Sequence, residues 1–157
     1  MESEQSFGLP LGVPGRVHHV AVVVRDIEQA LLFYRDRLNL PVELVLPIES
    51  DGVIIAFLAV GESKIELVQP TDASTGVARF LESRGEGFHH VCLEVADIAA
   101  ELSRLGDEGV ELIDAVPRPG AEGPVAFIHP RSCNGVLVEL IEAPAGPAWS
   151  ALGLTLP

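Results

Sequence analysis

Two kinds of residue that hold metals and move protons recur along this chain at nearly the same offset. His18-His19 opens the run His-His-Val-Ala-Val-Val-Val over residues 18–24, and His89-His90 opens His-His-Val-Cys-Leu-Glu-Val over 89–95. Glu66 sits inside Lys64-Ile65-Glu66-Leu67-Val68, and Glu139 inside Leu137-Val138-Glu139-Leu140-Ile141. His19 and His90 lie 71 residues apart, and Glu66 and Glu139 lie 73 apart. Singly, a histidine in a strand is a structural residue, and a lone strand glutamate is an exposed charge or a partner of Lys64. A carboxylate in an apolar strand is costly without a partner, however, and here histidines and glutamates repeat together. Imidazole nitrogen with carboxylate oxygen is a donor set for Zn, Co, Ni, Mn or Fe(II). The repetition therefore points to one shared divalent-metal site rather than four unrelated residues.

The elements that must position these side chains also come in duplicate. Runs 17–24 and 88–95 are almost wholly apolar after their histidines, as strands covered on both faces are. Asp26 and Asp97 are N-cap residues for the helical patterns that follow. Ile27, Ala30, Leu31, Tyr34 and Leu38 define about three turns with Asn39 as the stop, and the second helix runs through Leu105. Strands follow at 42–48, 53–60 and 64–69, and again at 111–116, 125–129 and 136–142, with turn chemistry at Ser50-Asp51-Gly52 and Gly61-Glu62-Ser63.

The expected organisation is an N-terminal arm (1–16), a first β-α-β-β-β module (17–70) and a linker with a short helix (71–87). A second β-α-β-β-β module (88–142) and a C-terminal tail carrying Trp149 (143–157) complete it. The fold class is α+β, with the tandem modules forming a curved, partly closed, mixed eight-stranded sheet around a metal cavity. Strand alternation places residues 17, 19, 21 and 23 on one face and 18, 20, 22 and 24 on the other. His18 and His19 are thus expected to point apart, so one histidine of each pair faces the site. The repeat does not choose which.

Composition narrows the function classes. The chain has 157 residues, a formal net charge of −13 and a sequence pI near 4.6. Those values exclude a basic nucleic-acid-binding face and a polybasic membrane contact. An anionic substrate would need local Arg or Lys, a metal or a helix N-terminus. No apolar run reaches the length of a bilayer span, and no secretory signal is expected at the N-terminus. Cys92 and Cys133 do not make a disulfide framework, so reduced thiols in the cytoplasm are the expected setting.

The matching stretches are specific enough for a family resemblance. They include His19-Val20-Ala21-Val22-Val23-Val24 with Asp26, Phe33-Tyr34-Arg35-Asp36 with Leu38, and Lys64-Ile65-Glu66-Leu67. Phe80-Leu81 with Gly87-Phe88-His89-His90 adds to them. The strongest is Pro119-Gly120-Ala121, then Ala126-Phe127-Ile128-His129-Pro130 and Gly135-Val136-Leu137-Val138-Glu139-Leu140. Over residues 17–142 the chain resembles the vicinal oxygen chelate (glyoxalase-fold) superfamily and, within it, the methylmalonyl-CoA epimerase family.

The resemblance selects His19 and His90 over His18 and His89. It implies a metal held by His19, Glu66, His90 and Glu139, with cobalt foremost, an acyl-CoA thioester as substrate, and a homodimer. The reaction implied is epimerisation through an enolate, with Glu139 as one base and Glu66 on the other side. Two departures stand out. The family's usual Gly-Ala-His-Gly loop is here Gly120-Ala121-Glu122-Gly123, and the strand where some members carry a glutamate base reads Val53-Ile54-Ile55. Glu49 and Glu122 are expected to be solvated loop acids. The alternatives on the same scaffold are a glyoxalase-type isomerase, a lyase, an Fe(II) dioxygenase and a metal-free binding or resistance module.

Overall fold

The computed structural model describes residues 14–142; the expected tail with Trp149 and most of the expected N-terminal arm lie outside them. The first half runs β1 (Arg16–Val23), α1 (Ile27–Tyr34), β2 (Val42–Ile48), β3 (Val53–Val60) and β4 (Ser63–Pro70). Helix α2 (Gly76–Arg84) links the halves. The second half runs β5 (Gly87–Val95), α3 (Ile98–Asp107), β6 (Arg118–Pro119), β7 (Pro124–Ile128) and β8 (Val138–Glu142).

All eight strands form one mixed sheet in the order β2-β3-β4-β1-β5-β8-β7-β6. Each half contributes the same internal order, first-fourth-third-second. The halves join where β1 and β5 run antiparallel, while β1 with β4 and β5 with β8 are parallel. The expected duplicated β-α-β-β-β architecture is the observed one.

Strand alternation sorts each strand between two environments. Ala56, Leu58 and Leu67 pack with Ile27 and Leu31 of α1 on the outer face. Ala126, Ile128 and Leu140 do the same with Ile98 and Leu102 of α3. The alternate residues, among them Ile55, Phe57, Glu66, Val68, Glu139 and Ile141, line a cavity on the inner face. A charge inside an apolar strand thus has its apolar neighbours under a helix and its carboxylate in the cavity.

The helices are tied down identically. Asp26 Oδ1 accepts from Gln29 N–H at 3.1 Å, and Asp97 Oδ1 from Ala100 N–H at 2.9 Å. The Ile27 N–H donates to Gln69 Oε1 at 2.9 Å and the Ile98 N–H to Glu142 Oε2 at 3.1 Å. The strands that carry Glu66 and Glu139 therefore also hold the helix starts, satisfying donors that a helix leaves free.

Two elements differ from the sequence expectation. Helix α1 ends at Tyr34, and the chain leaves through a turn in which Asn39 adopts φ 57°. The periodicity through Leu38 reflects packing of that turn, since Leu38 N–H still reaches back to Phe33 O at 2.9 Å. Residues 111–116 do not form a strand; only Leu112 bridges Ile128. Asp114 Oδ2 accepts the Phe127 N–H at 2.9 Å, and Phe127 O takes the N–H groups of both Ile113 and Asp114. A side chain has replaced the ladder there, and the edge strand is the short β6, whose Pro119 has no N–H to offer a further strand.

Candidate metal centre

The four expected site residues come together in the inner cavity, which has a volume of about 780 Å³. Register explains how. Ala21 lies between Glu66 on β4 and His90 on β5, and Cys92 lies between His19 on β1 and Glu139 on β8. Ala21 and Cys92 are both fully buried and small. Each row thus sets a histidine and a glutamate on either side of a short side chain, which leaves room for the longer ones to converge. Phe57, paired with Glu66, and Phe127, paired with Glu139, stand edge-on to His19 and His90 with centroids 5.3 and 5.2 Å away.

His19 Nε2 and His90 Nε2 face each other at 3.2 Å. Glu66 Oε2 lies 3.3 Å from the first and 3.6 Å from the second. Glu139 Oε2 lies 3.1 and 2.8 Å from them, yet neither approach has hydrogen-bond direction, and this buried oxygen has no hydrogen-bond partner. Leaving a buried acceptor unsatisfied costs about 1–3 kcal/mol, more when it is charged. Two facing ring nitrogens and an orphaned carboxylate oxygen are the arrangement a divalent cation would satisfy, so the donor set fits such an ion.

Electrostatics agree. Burial pushes the Glu139 carboxyl up, but the two imidazoles against it bring it down to about 2, so it is ionised. Burial pushes the His19 imidazole down, and Glu139 and Glu66 raise it to about 9. A cation in the site would replace that proton. Cys92 has its sulfur within 4.8 Å of ring nitrogens of His18 and His19, but burial and then Glu139 drive its thiol far up, so it remains a neutral spacer.

The structure corrects the expectation that His18 and His89 point away. Between the pairs Val17–Leu93 and His19–Cys92, His18 is an extra residue on β1; between Ala21–His90 and Val22–Phe88, His89 is an extra residue on β5. These β-bulges break strand alternation at both histidine pairs. His18 Nδ1 meets His19 Nδ1 at 2.9 Å, and His89 Nδ1 meets His90 Nδ1 at 2.8 Å. Burial, with the neighbouring His19 next, lowers His18, and burial with His90 lowers His89 to about 4, so both outer rings are neutral. The doubled histidine in both repeats was the signal for this pair of contacts.

The loop acids separate. Glu49 is exposed in a short 3-10 turn. Glu122 lines the cavity, where Oε1 pairs with Lys64 Nζ at 2.5 Å and Oε2 lies 3.3 Å from His18 Nε2. It is exposed, as expected of a loop acid, but it is paired rather than free. Val53 and Ile55 present only apolar surface to the cavity. Arg79, Arg84 and Arg118 bring positive charge to it; Arg118 is paired with Asp51 and Asp114, whereas Arg84 forms no ion pair among the described residues and lies over Phe80.

Residues 18–128 match the family model of the Glyoxalase/Bleomycin resistance protein/Dioxygenase superfamily. The chain belongs to that superfamily. Among its relatives, the mitochondrial methylmalonyl-CoA epimerase of Mus musculus is 40% identical over 136 residues, covering 85% of this chain and 76% of that protein. The ethylmalonyl-CoA/methylmalonyl-CoA epimerase of Cereibacter sphaeroides is 40% identical over 129 residues, covering 80% and 96%. A structure of a Streptomyces coelicolor methylmalonyl-CoA epimerase variant in complex with 2-nitronate-propionyl-CoA superposes with a TM-score of 0.81 at 31% identity, over 86% of this chain and all of that one. Within the superfamily the chain groups with these epimerases, and it is an isomerase of the epimerase kind.

Proposed function

We propose that the protein is a divalent-metal-dependent epimerase that interconverts the 2R and 2S forms of methylmalonyl-CoA. The carrying observation is the convergence of His19, Glu66, His90 and Glu139 on one point, with Glu139 Oε2 buried and unpaired. These four residues would hold the ion, with cobalt the expected metal. When bound, it supplies a Lewis-acid charge beside the enolate oxygen that develops as the α-proton leaves.

The chain's own residues supply the rest. Epimerisation removes a proton from one face of the carbon next to the thioester and returns one to the other. We assign Glu139, ionised in this setting, to take the proton, and Glu66, its counterpart across the rows, to return one from its protonated form. The apolar wall of Val53, Ile55 and Phe57 keeps water from the planar carbon. Arg79 and Arg84 offer charge to an anionic acyl-CoA in an otherwise acidic protein.

The homodimer and the cytoplasmic setting belong to the same reading. The free β2 edge of the sheet supports the first, and the unpaired Cys92 and Cys133 the second. Light scattering on the eluting protein checks the dimer, and fractionation of the source cells checks the compartment. The activity is tested by metal analysis of the purified protein and then by solvent deuterium exchange into methylmalonyl-CoA, for wild type and Glu139→Gln. The expected result is bound metal with exchange that Glu139→Gln abolishes. Metal-free wild type, or full exchange by the variant, would overturn the reading or the base assignment respectively.

A further inference from the structure

We propose that His18 and Glu122 are positioning residues that fix the proton on the outer nitrogen of His19, so that the metal-binding face of His19 is anchored to the 120–123 loop. The proposal rests on the metal reading above. It follows from tracing protons. An imidazole that ligates through Nε2 carries its proton on Nδ1. His19 Nδ1 lies 2.9 Å from His18 Nδ1, so His19 donates and His18 accepts there. An imidazole that accepts at Nδ1 has its proton on Nε2, and His18 Nε2 lies 3.3 Å from Glu122 Oε2. Glu122 Oε1 in turn pairs with Lys64 Nζ at 2.5 Å, and Lys64 reaches Glu43 at 2.8 Å.

The other half repeats only the inner link. His90 donates from Nδ1 to His89 Nδ1 at 2.8 Å, but no hydrogen bond or ion pair joins His89 Nε2 to another described residue, and the ring lies edge-on to Phe80 at 4.9 Å. The two metal-binding histidines are therefore oriented differently: His19 through a carboxylate with its own counter-charge, His90 through a neutral ring alone. Glu122 stands where the family's loop usually has a histidine, so this carboxylate–histidine–histidine series is a property of this chain's own loop.

The test uses Co(II) alone as the probe. Its dissociation constant is measured by competition with a chelating dye, and its visible d–d spectrum is recorded, for wild type, His18→Phe, His18→Asn and Glu122→Gln. His18→Phe removes the acceptor and should weaken binding roughly 10–100-fold and shift the spectrum, as loss of an outer partner does. His18→Asn places an amide oxygen near the lost Nδ1 and should restore most of the affinity. Glu122→Gln keeps the shape but loses the charge, and should weaken binding in the same direction by a smaller factor.

Circular dichroism controls for folding. If His18→Phe does not fold, Glu122→Gln decides, and an unchanged affinity and spectrum there overturns the proposal. Wild type that takes up Co(II) while His18→Phe and Glu122→Gln both match it overturns the relay alone. Wild type that takes up none overturns the metal reading and the relay together.

Discussion

His19 and His90 hold their Nε2 atoms 3.2 Å apart, although neither stands opposite the other in the sheet: His19 pairs with Cys92 and His90 with Ala21. The offset is diagonal, and each histidine reaches over a small neighbour. Replacing either with alanine removes one of two ring nitrogens while the second row stays intact. The expected outcome for His90→Ala is loss of bound metal with the fold retained, checked by metal analysis beside circular dichroism; undiminished stoichiometric metal would refute the ligand assignment.

The small residues between ligands carry a separate prediction. Ala21 is fully buried between Glu66 and His90. Ala21→Leu adds volume where the side chains converge, and overpacking of this sort costs about 1–3 kcal/mol. Both thermal stability and metal affinity should fall. Cys92→Ala, which keeps the other spacer small, should leave metal affinity near wild type, and a calorimetric titration of the two variants compares them directly.

Gly52 closes the turn before β3 with φ +61°, and a Cβ there would lie 2.8 Å from Thr75 Cγ2 and 2.9 Å from Asp72 Cβ. Thr75 is the N-cap of α2, whose residues line the cavity. The left-handed conformation alone costs a side chain roughly 1–2 kcal/mol, and the clash adds to it. Gly52→Ala should lower the denaturation midpoint clearly and raise KM for the acyl-CoA more than it lowers kcat.

The paired caps offer a control distant from the chemistry. Asp26 and Asp97 each accept one free N–H at a helix start on the outer face of the sheet. Asp97→Ala should cost about 1 kcal/mol of stability, as cap removal typically does. The deuterium-exchange rate at a temperature well below unfolding should be unchanged; a large loss of exchange would mean the helix start positions the site.

Much of this was legible before folding. The repeat of a histidine pair with Glu66 and again with Glu139 predicted the duplicated architecture and the two glutamates, because strand alternation requires a charge in an apolar strand to face away from the covering helix. His19 and His90 were singled out by the family resemblance, since both histidines of each pair repeat. The turn glycines, the two aspartate caps and the limits of β2 and β3 were equally local, being set by backbone preferences within a few residues. The strand expected at 111–116 failed for a non-local reason: Asp114 takes a backbone N–H from β7, which no pattern within 111–116 records.

His18 and His89 show the division most clearly. Alternation counted along one strand set them facing away from the site. A bulge is defined by the count of residues on two strands at once, and only the pairing of β1 with β5 places an extra residue at each histidine pair. Glu122 likewise became a partner of His18 and Lys64 only when the last module closed against the first. Local sequence determined which residues are available to the site and, where the ladder is regular, which face of the sheet they take; contacts between the two halves set the bulges and decided which residues support the ligands.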